Sequence, residues 1–394
     1  MMLNKWKQHA CVLLTLIVSS AILTGCWDRR EINDVAFVLG SAIDITESGE
    51  YQVSALIPLP GNMGGAMGGA GDAKPFTIKT AYGKDIRGAV DNLQKSLPRW
   101  LFFGHRRVLI VSDKLVETIG FKPVVDAITR TPENRLTAFI AVSKGPAIDV
   151  LNADIRMERF SAESIREMLQ SDASLRISLK EITAKMIAVG DDAMFPYLNK
   201  RKTTLKGHES EDIQVIGFAL THDGVMKASA SDGAANGVRL LNAQFRPYRE
   251  TLEDGESTIT IAANSNQLKI KPSMRNGVPY FEISSLIKIS INEDTNYDRD
   301  YDDIGQRSHI EKLFVKKAKS DINAALALMK QSKSDVIGFG RYLSRSQPGK
   351  WDKEWKGKWE ELFPQSEFIV TVKAEVFRIG MNRENLAKKD QRYE

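Results

Sequence analysis

A short apolar run ending in a lone cysteine limits what the rest of this chain can fold into. Lys5 and Lys7 precede an apolar stretch over residues 10–23, interrupted only by Thr15, Ser19 and Ser20. It is shorter than the ~20 apolar residues a membrane-spanning helix needs, and it matches the central region of an export signal. Leu23-Thr24-Gly25-Cys26 then has the form of a bacterial lipobox, in which the thiol is acylated and becomes the first residue after cleavage. The other cysteine, Cys11, lies in the part that cleavage would remove. A body with one acylated cysteine has no internal disulfide to hold its core.

The composition permits such a core. Of 394 residues 42% are hydrophobic and 27% charged, and the formal net charge is only +5. That excess is too small to argue for nucleic acid. After residue 25 no apolar run approaches membrane-spanning length, so the body is expected in water, tethered by its lipid.

The pattern reads as mixed α+β. Residues 35–45 and 51–57 are β-rich and flank a turn at 46–50; residues 58–75 form a glycine-rich loop. In residues 85–97, Ile86, Val90, Leu93 and Leu97 share a helical face, and Pro98 stops it. A strand at 108–112, helix up to Thr129 and a strand at 136–142 follow. Helices are expected at 161–170 and 178–189, the second opened by a Ser178/Glu181 capping box and closed by Gly190. The polar, basic stretch 200–208 suggests a boundary. Short strands at 213–221, 257–263 and 267–271 and a longer one at 280–291 come next. A helix over about 309–333 carries Ile310, Phe314, Ile322, Leu326 and Met329 on one face; a tryptophan-bearing helix and a strand at 367–379 end the pattern.

Trp27-Asp28 directly after the cysteine, Phe103-Gly104-His105-Arg106-Arg107, Arg130-Thr131-Pro132-Glu133-Asn134-Arg135, Ser334-Asp335-Val336-Ile337-Gly338-Phe339-Gly340, and Trp351, Trp355 and Trp359 before Phe363-Pro364 occur in that order. In this the sequence resembles the Ger(x)C family, the lipoprotein C subunits of nutrient germinant receptors in endospore-forming bacteria. The resemblance implies three domains, each a β-sheet packed with helices. Combined with the pattern it gives a signal at 1–25 and domains at 26–205, 206–276 and 277–394. It also implies a non-enzymatic protein, lipid-anchored through Cys26 to the outer face of the spore inner membrane and assembled with integral membrane A and B subunits. A solute-binding lipoprotein of a transporter is the competing expectation, and an envelope hydrolase a third.

Candidate sites are sparse, and no cofactor or metal is expected. The glycine-rich loop lacks a phosphate-cradle motif. Asp298, Asp300 and Asp302 imitate the first calcium ligands of an EF-hand. Asp303 then stands where glycine is needed and His309 where glutamate is, so a solvated acidic loop is expected. His105 beside Arg106 and Arg107 reads as an anion contact or as the polar lead-in to a strand. Trp351, Trp355 and Trp359, four apart, share one helical face, either core or a partner surface. The expected outcome is a split, with Trp351 partly exposed at the helix start. Gly338 or Gly340 is expected to take positive φ at the exit of the long helix.

Overall fold

The structure is a computed structural model that describes residues 2–22, 31–62, 74–155, 157–171, 174–205 and 208–379. Cys26 and most of the glycine-rich loop lie outside these residues. Among the described residues no helix, including Met2–Ile22, is long and apolar enough to cross a membrane.

The first sheet is built around buried parallel strands. Its elements are β2 (Gly40–Ile45), β3 (Tyr51–Pro58), β4 (Phe76–Gly83), β6 (Val108–Ser112), β7 (Phe139–Ser143), β8 (Met194–Leu205), β9 (His208–His222) and β10 (Val225–Ala230). They pair in the order β10-β9-β8-β7-β6-β2-β3-β4. The central pairs β2–β6, β6–β7 and β7–β8 are parallel, and antiparallel strands flank them. β6 explains the arrangement: Leu109 and Val111 enter one core and Val108 and Ile110 the other, so every residue of the run is buried. Helices Lys122–Thr129 and Leu179–Ile187 cover the first face, Ala147–Leu151 and Ser161–Gln170 the second. The short strands β1 (Val35–Phe37) and β5 (Trp100–Phe102) pair separately, because the expected strand 35–45 breaks after Phe37.

The second sheet has the order β11-β12-β13-β14, formed by Tyr248–Asp254, Ser257–Arg275, Val278–Asp294 and Glu367–Arg378. β14 runs parallel to β13, and the long helix Ile304–Ser332 makes the crossover between them. That helix buries Ile310, Phe314, Ile322, Leu326 and Met329, the face expected from the sequence. It starts earlier than expected because Asp303 caps it, accepting the Gly305 N–H at 2.6 Å.

Both internal boundaries expected from the sequence fall at hairpin tips. β8 and β9 pair from Met194↔Leu220 to Leu205↔His208, so the first sheet contains strands from both sides of residue 205. The basic run lacks apolar alternation because Arg201 and Lys202 are exposed near the hairpin's end. At 276/277 the chain makes a two-residue turn, with Asn276 at φ 50° and Gly277 at φ 82°. Positive φ at both residues suits the tight turn joining β12 to β13. One apolar cluster takes residues from both sheets, Ile43 and Leu220 from the first and Phe281 and Val372 from the second.

Candidate functional site: a buried aspartate joining the two sheets

The long helix ends with Lys333 in the left-handed region at φ 56°, and Asp335 follows in full burial. Its carboxylate ties a tight turn to the next helix, Phe339–Ser346. Oδ1 accepts the N–H groups of Gly338 (3.0 Å) and Phe339 (2.7 Å). Oδ2 accepts the Gly340 N–H (2.8 Å) and the indole N–H of Trp359 (3.1 Å). Amides at a helix start lack intrahelical acceptors, and Asp335 supplies them. Burial pushes this carboxyl up to about 7; the Gly340 and Phe339 amides pull it down, while Asp192 and Asp191 push it up.

Gly338 has φ 80°, as expected of one of the two glycines. The exit of the long helix is nevertheless made by Lys333, and Gly338 instead precedes the following helix. Gly340 serves close approach: a Cβ there would lie 2.6 Å from the Gly190 Cα and 2.9 Å from the Trp351 ring. Gly190 likewise does not end its helix, which stops at Ile187; it lets two backbones meet.

The facing segment, Gly190-Asp191-Asp192, leads into β8. Asp191 Oδ1 accepts from Lys185 Nζ at 2.6 Å, and its Oδ2 pairs with Arg341 at 2.8 Å. Lys185 Nζ also donates to the Val336 carbonyl at 2.8 Å. His222, at the end of β9, stands 3.3 Å from Asp192 Oδ2 and 3.3 Å from Glu360 Oε1. Its pKa is raised, chiefly by the bond to Asp192, against the effect of burial. An open groove of about 550 Å³ borders this cluster, lined in part by His222, Lys333, Trp359 and Glu360.

The partner-surface reading of the tryptophans and the expected split both require correction. Trp351, Trp355 and Trp359 are 4%, 8% and 5% exposed, so all three are core in this chain. The segment is not one regular helix: a π turn spans Trp351–Trp355 and a 3₁₀ turn Lys356–Lys358. Trp351 and Trp359 meet edge-on, 5.4 Å between centroids, over Gly340. Sequence reasoning missed Asp335, although an acid three residues before a glycine and a helix is a capping signal.

The remaining candidates separate. His105 packs edge-on against Phe37 at 4.9 Å. Asp298, Asp300 and Asp302 are exposed, and no His, Cys, Asp and Glu group suited to a metal occurs among the described residues. Arg299 secures that loop, 2.6 Å from both Asp254 and Asp294.

Fold and junction define an α+β protein of two helix-backed sheets locked through a buried aspartate. Residues 28–200 match the family described as the spore germination protein N-terminal domain, and residues 216–380 that described as spore germination B3/GerAC like, C-terminal. The chain belongs to this spore germination family. It is 33% identical to YfkR of Bacillus subtilis (strain 168) over 375 residues, covering 92% of this chain and 96% of that protein. It is 26% identical over 396 residues to spore germination protein KC of the same organism, covering 93% and 95%. The crystal structure of the GerBC protein superposes with a TM-score of 0.52 at 19% identity, covering 89% of this chain and 100% of that one.

Proposed function

We propose that this protein is the lipoprotein subunit of a nutrient germinant receptor, acting by assembly and not by catalysis. The observation that carries the reading is the position of the family match. The first match begins at residue 28, two residues after the lipobox cysteine Cys26, and covers 28–200; the second covers 216–380. A folded germination body thus follows directly on an acylation signal. Two acyl chains at Cys26 would hold it stably on the outer face of the spore inner membrane. There it would offer its surfaces to integral membrane A and B subunits.

The junction fits an assembly role better than a chemical one. Asp335 accepts four hydrogen bonds and Asp191 meets two cations, so neither carboxylate is left to act as a base. The transporter solute-binder reading draws no support from relatives named for spore germination.

Cys26→Ala tests the anchor. Labelled lipid and membrane retention should be lost while circular dichroism stays unchanged; normal labelling of the variant overturns the anchor. Crosslinks mapped from the intact receptor should reach two integral membrane partners, and their absence would remove the assembly role.

A further inference from the structure

Two of the sequence segments singled out above, 103–107 and 130–135, meet at one small cavity. Arg106 is 95% buried, being only 5% exposed, and donates from Nη2 to Asn134 Oδ1 at 3.0 Å. Asn134 is held in turn by donating to the Ile128 carbonyl at 2.9 Å. The Arg106 Nε–H has no acceptor, and the buried Ser41 Oγ has no partner. Among the described residues no carboxylate pairs with Arg106. Burial alone shifts its guanidinium, down to about 10.

Arg106, Ser41 and Asn134 line a cavity of about 50 Å³ whose lining contains no Asp or Glu. Its walls are otherwise largely apolar, including Ile43, Val53, Ile86 and Val90. Ile86, Arg87, Ala127 and Thr131 also line a surface groove of about 450 Å³, so the cavity lies against that groove. A buried cation is ordinarily compensated by a partner, and a buried hydroxyl by a hydrogen bond. Here both residues line the same space, beside an aliphatic wall. A single water requires about 10–15 Å³ of such volume, so the space suits a very small organic ion.

We propose that this cavity binds a small carboxylate, its anionic end compensating Arg106 and Ser41 and its short aliphatic end lying on Ile43, Val53, Ile86 and Val90. This site is independent of the lipid anchor and of receptor assembly.

The test is thermal unfolding of the full chain in detergent at constant ionic strength, with acetate, propionate or isobutyrate added. At least one should raise Tm by roughly 2–4 °C at saturation. Isobutyramide, the neutral isostere of isobutyrate, should leave Tm unchanged, and inorganic phosphate should act less than the best carboxylate because it has no apolar end. Arg106→Met should abolish the shift, because it removes the cation that the carboxylate compensates. Should that variant fail to fold, Ser41→Ala supplies the readout, weakening the carboxylate about tenfold or more. The proposal is overturned by no shift with any carboxylate, by a shift surviving in a folded Arg106→Met, by unchanged affinity in Ser41→Ala, or by an equal response to isobutyramide. Phosphate acting more strongly than every carboxylate would overturn the assignment of ligand class.

Discussion

Asp335 and Asp192 hold each other reciprocally: the Asp335 N–H donates to Asp192 Oδ2 at 2.9 Å, and the Asp192 N–H donates to the Asp335 carbonyl at 2.9 Å. The two lie 143 residues apart in sequence, so this exchange joins the approach to β8 to the turn after the long helix. Movement of one segment must strain the other. The contacts are short and partly buried, which makes the junction a mechanical link between the sheets.

Asp335→Ala should destabilise the protein by roughly 3–5 kcal/mol, because three backbone N–H groups and the Trp359 indole lose their acceptor together. Trp359→Phe keeps most of the packing and removes a single donor, so it should cost about 1–2 kcal/mol. Denaturant titration of both variants checks the order. Equal losses would mean that ring volume, and not hydrogen bonding, governs the site.

The two glycines of this turn should respond differently. Gly338→Ala places a side chain at φ 80° and should cost about 1–2 kcal/mol. Gly340→Ala drives a methyl to within 2.6 Å of the Gly190 backbone and should cost more, about 3 kcal/mol. Chemical denaturation of the pair decides it; a mild Gly340→Ala would mean that the two backbones can separate freely.

Why the junction escaped sequence reading follows from its construction. Local signals survived well: the Ser178/Glu181 capping box formed, and the apolar face of the long helix is buried as its periodicity requires. Asp192 and Asp335 carry no such periodicity, because what defines them is a contact across 143 residues. The tryptophans misled for a different reason. Their four-residue spacing does put the three rings on one buried face, but the expected exposure of Trp351 rested on its place just after Pro348-Gly349, and the ring instead packs against Gly340 and Trp359. The β8–β9 and β12–β13 hairpins read as boundaries because their ends are polar and their turns short, while strand length depends on partners far away in sequence.

Rising pH should loosen the junction through both of its shifted groups. Asp335 is raised from 3.8 to about 7, so the folded state holds its proton more tightly and stability is lost as pH rises through that interval. His222 is raised above 6.5; its contribution is fully present below that value and is lost as pH rises through its folded pKa. Thermal unfolding between pH 6 and 8 should show the stability advantage of wild type over His222→Gln shrinking with pH. A constant difference would show that the Asp192 and Glu360 contacts do not depend on the imidazolium.

The acidic loop before the long helix should depend on its arginine and be indifferent to calcium. Arg299 lies between Asp254 and Asp294, and the Tyr301 hydroxyl donates to Asp294 Oδ2 at 2.8 Å. Arg299→Met would leave Asp294 buried without its cation and should cost about 3–5 kcal/mol. Asp298→Asn and Asp302→Asn, at exposed positions, should each stay within about 0.5 kcal/mol of wild type. Millimolar calcium should leave Tm unchanged, because the loop departs from the EF-hand where the turn glycine and the bidentate glutamate are required. A calcium-dependent rise in Tm that disappears in Asp298→Asn would instead make these aspartates ligands.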